Sequence, residues 1–509
     1  MRFRARCLAL AIALALPVLA GCSDDKSSDS GSSPSGGATA GDGSVVALTI
    51  LQMNDVYELT PVSGGAEGGL ARVATLRANL RAENPNTFTV LAGDLLNPSA
   101  LSTATVDGQR LAGRQMVDVM NILGLDYATF GNHEFDLSQE ALLQRLAESK
   151  FTWVSSNVAQ TGGQPFPNVP PNVTFTARND DGREVRIGLF GLTLGSNPAT
   201  YVAYRDPVTV AREQVAALRS EVDILIAVTH LSLEGDINLV QEVPEIDLVL
   251  GGHEHENNEV ERGADFTPVS KADANARTVY VHRLRYDTST RELDHDSTLE
   301  RVTPALADDP TVGAAVERWV NAAFDGFRAQ GFEPTKVVAT TTEPLDGREA
   351  SVRNTPTGLT DLLAAGMLHA APGTELAIFN GGAIRIDDVI PPGEVTEYDI
   401  LRTLPFGDTV VSAQMSGSLL LRALDQGRAN AGTGGYLQVA NVTRTTGGDG
   451  WLVNGAALDV GRSYAVATNS FLLTGREIKL DFLTRDNPEV TVVSEHGDIR
   501  QALIAELRR

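Results

Sequence analysis

The chain is 509 residues long, 42% hydrophobic and 21% charged. That is about two or three domains of globular material and excludes a fibrous or mostly disordered protein. Its 65 acidic residues against 41 basic ones give a formal net charge of −24, a field that repels polyanions and excludes a general nucleic-acid or anionic-membrane binder. Both cysteines, Cys7 and Cys22, precede the body of the chain, so no disulfide framework, zinc–thiolate site or cysteine nucleophile exists there.

Arg2, Arg4 and Arg6 lead into an apolar run, Leu8 to Leu19. The run has the length of a signal-peptide core and is too short to span a bilayer. It ends in Leu19-Ala20-Gly21-Cys22, which resembles a bacterial lipobox. The resemblance implies cleavage before Cys22 and acylation of that residue; several acyl chains anchor stably where one would be marginal. Removal of residues 1–21 takes away three arginines and no acid, moving the formal charge from −24 to −27. Ser23 follows the cysteine, which points to the outer membrane of a bacterial envelope. Residues 22–44, rich in Ser, Gly and Asp, read as a flexible tether.

A first domain is expected over residues 45–305. Short apolar runs recur at Val46–Gln52, Thr87–Leu91, Tyr127–Phe130, Trp153–Ser155, Val185–Leu192, Asp223–Val228, Ile246–Leu250 and Val279–Arg285. Their near-continuous apolarity predicts strands covered on both faces. Amphipathic stretches at Leu70–Arg81, Gln115–Leu123, Gln139–Ser149 and Val210–Glu221 alternate with them, which argues an α/β sandwich with helices outside. Ligands of such sheets gather where strands end. At those ends stand Asn54-Asp55, Gly93-Asp94, Gly131-Asn132-His133-Glu134-Phe135-Asp136, His230 and Gly251-Gly252-His253-Glu254-His255. Any one of these is weak, since an Asp after a strand is usually a helix cap. Together they bring four of the chain's eight histidines beside two carboxylates and an amide, a donor set for two divalent cations of the zinc, manganese or iron type.

The order Asn-Asp, Gly-Asp, Gly-Asn-His-Glu-Phe-Asp, Thr-His, Gly-Gly-His-x-His resembles the calcineurin-like metallophosphoesterases, and more narrowly the bacterial 5′-nucleotidase/2′,3′-cyclic-nucleotide phosphodiesterase family. The resemblance implies a four-layer α-β-β-α sandwich followed by a smaller α/β substrate-binding domain. It implies that Asp94 bridges two metal ions, that Asp55 and His255 hold the first, and that Asn132, His230 and His253 hold the second. His133 and Asp136 become the acid dyad beside the leaving group. The cofactors implied are two divalent ions, zinc, manganese or cobalt, with iron an option. Such a pair clamps phosphoryl oxygens and supplies hydroxide near neutral pH. One position departs from the family, whose first motif continues Asp-x-His: here it reads Asp55-Val56-Tyr57. Similar sequences begin Asn-Asp-Val-Tyr-Glu, which marks a subgroup trait. Tyr57 is open to three roles: a phenolate ligand, a substrate contact, or packing in support of a ligand.

Val312, Val316, Trp319, Val320, Ala323 and Phe327 recur at helical spacing and predict a helix within Leu306–Gly331, the linking helix of the family (residues 306–334). A C-terminal domain over residues 335–509 resembles the family's substrate-binding domain through Asn380-Gly381-Gly382-Ala383-Ile384-Arg385, Leu404-Pro405-Phe406-Gly407-Asp408, Gly434-Gly435-Tyr436-Leu437-Gln438 and Thr468-Asn469-Ser470-Phe471-Leu472. The resemblance implies that Tyr436 and Phe471 sandwich a base and that Arg385 holds the phosphate side. A second departure follows: Thr474-Gly475-Arg476-Glu477 stands in place of Gly-Gly-Asp-Gly. The expected protein is a monomeric, membrane-anchored, extracytoplasmic phosphoesterase acting on small nucleotides, with no nucleic-acid partner. The alternatives are a phosphodiesterase acting on cyclic nucleotides or nucleotide sugars, and a non-catalytic nucleotide-binding lipoprotein.

Overall fold

The structure, a computed structural model, describes residues 43–196 and 199–509. The expected signal segment, the tether up to Asp42 and the lipidation residue Cys22 lie outside the described residues.

Two six-stranded sheets face each other. The first runs in the order 292–301, 278–287, 45–53, 87–92, 127–129, 152–153, and the second 258–262, 267–271, 248–251, 224–230, 184–193, 172–178. Four neighbouring strands in each sheet are parallel, and antiparallel strands lie outside them. The strand Ile224–His230 shows why its apolar run is continuous. Ile224, Ile226 and Val228 pack between the sheets with Leu48, Ile50, Val90 and Leu250. Leu225 and Ala227 pack outward with Val210, Leu218 and Leu239 of two covering helices, Pro207–Leu218 and Leu233–Glu242. Helices Leu70–Glu83, Arg114–Leu123 and Gln139–Glu148 cover the other sheet. The result is the four-layer α-β-β-α sandwich.

The helix Pro310–Ala329 follows. Asp309 starts it, accepting the amides of Thr311 and Val312 at 2.9 and 2.8 Å, and Pro310 fits the first turn because no partner for its nitrogen is needed there. Val312, Val316, Ala323 and Phe327 are buried. Trp319 and Arg318 both donate to Asp118 (2.8 and 2.5 Å), pinning this helix to Arg114–Leu123.

The second domain carries a five-stranded mixed sheet in the order 437–440, 376–380, 463–469, 409–416, 490–498. The strands 376–380 and 463–469 are parallel, so Asn380 and Asn469 end them side by side, with Asn469 Nδ2 on Asn380 Oδ1 at 3.0 Å. Among the described residues no helix is long and apolar enough to cross a membrane.

Ile226 is fully buried between the sheets, whereas Val493 is 62% exposed. Ile226→Ala should therefore cost about 2–5 kcal/mol, the range for a truncated core aliphatic, read as a lowered urea midpoint. Val493→Ala should stay within about 0.5 kcal/mol of wild type.

Candidate active site

Five strand ends, from both facing sheets, meet at one edge of the sandwich. Asp55 stands two residues after the strand Val45–Met53, and Asp94 two after Thr87–Ala92. His230 ends its own strand, and His253 stands two past Leu248–Gly251. Asp55, Asp94 and His253 are in the left-handed backbone region, with φ of 52°, 56° and 84°. Such strain in non-glycine residues persists only where surroundings over-determine it.

Asp94, Asp55, His230 and His255 each have an outer atom anchored to the surrounding loops and an inner atom facing the others. Asp94 Oδ1 accepts the His133 amide at 2.9 Å, while Oδ2 faces the Tyr57 hydroxyl (2.9 Å) and His230 Nε2 (3.4 Å). Asp55 Oδ2 accepts the His253 amide and Asn54 Nδ2 at 2.9 and 2.8 Å. Its Oδ1 faces Tyr57 (3.2 Å), His255 Nε2 (3.6 Å) and His230 Nε2 (3.9 Å). His230 Nδ1 lies 2.8 Å from the Ala92 carbonyl, and His255 Nδ1 2.8 Å from Asp387 Oδ2. Both partners accept only, so these nitrogens donate and the Nε2 atoms turn inward. Ligand atoms of Asp55, Asp94 and His230 lie within 4.8 Å of one another.

The electrostatics follow from that crowding. Burial alone would lower the His230 pKa, yet the Asp94 and Asp55 carboxylates raise it to about 9. Burial likewise opposes the charge on His255, but Glu349 and Asp387 lift it to about 10. Burial, and then the charge of His230, push His253 down to about 3. Asp94 is held far below the usual carboxylate range by His230 and His133, against burial.

Close backbone approach makes the arrangement possible. A Cβ on Gly131 would lie 2.0 Å from Asp94 Oδ1, and one on Gly252 would lie 2.1 Å from the Ala92 carbonyl.

On one side His133 Nδ1 lies 2.6 Å from Asp136 Oδ2, which also accepts Asn97 Nδ2 at 2.9 Å. Arg385 of the C-terminal domain donates from Nη2 to His133 Nε2 at 3.1 Å and from Nη1 to Glu349 at 3.1 Å. Tyr436 is half-buried, its carbonyl accepting Gly381 N–H at 2.7 Å. The more exposed rings are Phe406 (51%) and Phe471 (36%). Their loops are joined by Asp408, which accepts Phe471 N–H at 3.2 Å. Glu477 accepts Asn380 Nδ2 at 2.7 Å, so the variant loop brings a carboxylate to the strand ends.

Comparison with known proteins names this arrangement. Residues 48–257 match the family described as calcineurin-like phosphoesterase, and residues 337–482 match the 5′-nucleotidase C-terminal domain. The chain belongs to the calcineurin-like phosphoesterases that carry a 5′-nucleotidase C-terminal domain. It is 28% identical to the trifunctional nucleotide phosphoesterase YfkN of Bacillus subtilis over 84% of its own length, spanning about a third (32%) of that relative. It is also 28% identical to the protein UshA of Yersinia enterocolitica, over 84% of this chain and 85% of the relative. The crystal structure of a 5′-nucleotidase precursor from Thermus thermophilus superposes with a TM-score of 0.74 at 23% identity, covering 91% of this chain and 96% of that one. Membership makes this calcineurin-like phosphoesterase a metal-dependent phosphoric ester hydrolase.

The residues fit the divalent ions that the family uses. His230 Nε2 and Asn132 Oδ1 are buried and make no hydrogen bond, a costly state that a cation would relieve. A cation among Asp55, Asp94 and His230 would also replace the proton now offsetting the two carboxylates.

Three supports were not legible in the sequence. Glu134 is fully buried and accepts the amides of Asp94, Leu95, Leu96 and Gly131 at 2.5–3.0 Å, locking two of the loops together. Burial, and then the Asp94 charge, raise its pKa to about 7. Lys271, also fully buried, donates to the Gly252 and Leu231 carbonyls and to Glu254, holding the His-x-His loop from behind. Phe406 stood in the sequence only as one letter of the Leu404–Asp408 motif, with nothing to mark its ring as exposed.

Tyr57 does not merely pack. Its hydroxyl sits 2.9–3.2 Å from Asp55, Asp94 and His255 Nε2, among the atoms that face inward. Burial and the charges of Asp94 and Asp55 raise its pKa well above the ordinary phenol value, so it stands there as a neutral group. Imidazole is a better ligand for zinc or manganese than neutral phenol. Tyr57→His should therefore tighten Mn²⁺ binding at the weaker of two sites in a calorimetric titration of the metal-free protein. Two sites already equal in the wild type, or an unchanged weaker site, would show that the hydroxyl does not stand in a ligand's place.

Proposed function

We propose that this calcineurin-like phosphoesterase removes phosphate from nucleotides outside the cytoplasm while acyl chains on Cys22 hold it to a bacterial envelope membrane. The observation that carries the catalytic part is the pairing of His133 with Asp136 beside the inward-facing cluster. A protein that only binds nucleotides needs the cluster but has no use for a leaving-group acid. Asp55 and His255 would hold one cation, Asn132, His230 and His253 the other, and Asp94 both. When bound, such ions polarise the phosphoryl group and lower the pKa of water.

The chain's own residues do the rest. Asp136 accepts the Nδ1 proton of His133 and fixes the ring, so that, once Arg385 has left Nε2 for the phosphoryl oxygens and Nε2 has taken a proton from solvent, the imidazolium turns Nε2–H to the leaving oxygen and gives it that proton. Arg385 touches the same Nε2 and is placed to grip phosphoryl oxygens with a charge-assisted fork. Glu349 holds that guanidinium in position. Tyr436 and Phe471 would sandwich a base, with the exposed ring of Phe406 on the adjoining loop a further apolar face, and stacking of this kind tolerates any base. Tyr436, half-buried, supports the Gly381-Gly382 turn that leads to Arg385. The names of the relatives, a nucleotide phosphoesterase and 5′-nucleotidases, support nucleotides as the substrate class.

Exhaustive chelation should abolish phosphate release from a panel of nucleotides, and Mn²⁺, Co²⁺ or Zn²⁺ should restore it. His133→Ala should lower turnover by roughly 10²–10⁴ with metal content unchanged. Undiminished hydrolysis after chelation would overturn the two-cation reading, and metal loss in His133→Ala would make that residue a ligand.

The anchor rests on the arginine-led apolar run and on Leu19-Ala20-Gly21-Cys22. Cys22→Ser should move the protein out of the membrane fraction or trap its precursor. Full maturation with unchanged fractionation would refute lipidation.

A further inference from the structure

His255 is unlike the other inward-facing groups, because the atom that anchors it belongs to the other domain. Asp387 stands on the loop after the C-terminal strand Leu376–Asn380. Its Oδ2 lies 2.8 Å from His255 Nδ1, and its Oδ1 accepts the Glu349 amide at 2.8 Å. Its carbonyl accepts from Arg277 of the catalytic domain, and its φ is 40°, in the left-handed region. Glu349 Oε2 is 3.7 Å from the same His255 nitrogen. Both acidic neighbours of that nitrogen thus come from the C-terminal domain.

We propose that Asp387 is a cross-domain positioning residue: by accepting the Nδ1 proton of His255 it turns Nε2 toward Asp55 and completes the first cation position only when the C-terminal domain is seated. The proposal rests on the two-cation reading above. A carboxylate behind a ligating imidazole fixes its tautomer and raises its basicity, and losing such a partner typically costs about 10–100-fold in metal affinity. The first position depends most on that support, since Tyr57 supplies it with a neutral phenol. Linkage is reciprocal: a cation at this position must favour the seated domain by the same factor.

The test is a calorimetric Mn²⁺ titration of the metal-free full-length protein. Asp387→Ala should weaken the weaker site about 10–100-fold and leave the stronger site unchanged. Asp387→Asn keeps an acceptor oxygen, and Asn tolerates the left-handed backbone. It should restore most of the loss while remaining a few-fold weaker than wild type. An unchanged weaker site, or equal weakening of both sites, overturns the proposal. Should the alanine variant not fold, wild-type affinity in Asp387→Asn overturns it instead. If the wild type binds no Mn²⁺ at all, the two-cation reading falls and takes this inference with it. If two sites bind and Asp387→Ala changes neither, only the role of Asp387 falls.

Discussion

Two carboxylates, Asp55 and Asp94, are buried side by side at 0% and 1% exposure, and the site is organised around the need to offset them. Unpaired charge in such a place is too costly to persist. Each carboxylate spends one oxygen on a backbone amide, from His253 and His133 respectively, and this fixes the direction of the other. The loops that deliver those amides are the loops that deliver the histidines. Amide contact and ligand placement are therefore one arrangement, and the left-handed backbone at both aspartates is what lets the loops turn that sharply. Glu134 and Lys271 repeat the pattern one layer out, each a buried charge committed to loop backbone.

The catalytic sandwich was legible because its central strands are covered on both faces. Ile224–His230 is buried at every position, and a run so apolar has no other reading in a chain of alternating helices. The edges were not legible. Glu292–Arg301 and Asn258–Arg262 are strands of charged, mostly exposed residues, held by hydrogen bonds to a neighbour rather than by any hydrophobic period. Leu233–Glu242 contains Gly235 and two acids in its first turn, which hides a helix that Ser232 caps. Asp309 gives no signal by its residue type alone, yet it starts the linking helix. Its meaning lay in the proline that follows.

Within the site, residue types showed the donor set and the family resemblance showed their order. Which atom of each donor faces inward is a tertiary fact. Tyr57 illustrates the gap: sequence alone left a ligand, a substrate contact and packing open, and only the structure shows its hydroxyl in contact with Asp55, Asp94 and His255. The exposed ring of Phe406, on a loop joined to that of Phe471, was hidden for a similar reason. Their loops are far apart in sequence, and Asp408 brings them together through a bond to a backbone amide.

The loop after Leu376–Asn380 shows how two domains come to share one site. Arg385 reaches His133, Ile386 is buried in the core, Asp387 reaches His255, and Asp388 accepts the backbone and side chain of Ser63 at 2.7 and 3.0 Å. Four consecutive residues thus contact the His133–Asp136 pair, the buried core, the His255 imidazole and the surface of the catalytic domain. Arg402, paired with Glu58 at 3.1 Å and with Asp388 at 3.6 Å, braces the loop from behind. Because these contacts sit on one short stretch, they form or break together. A displacement of this stretch that frees Arg385 from His133 would release His255 from Asp387 as well. The net charge of −24 sets the background for that coupling: a field of this sign repels an anion, and at the loop Arg385 brings a cation beside His133.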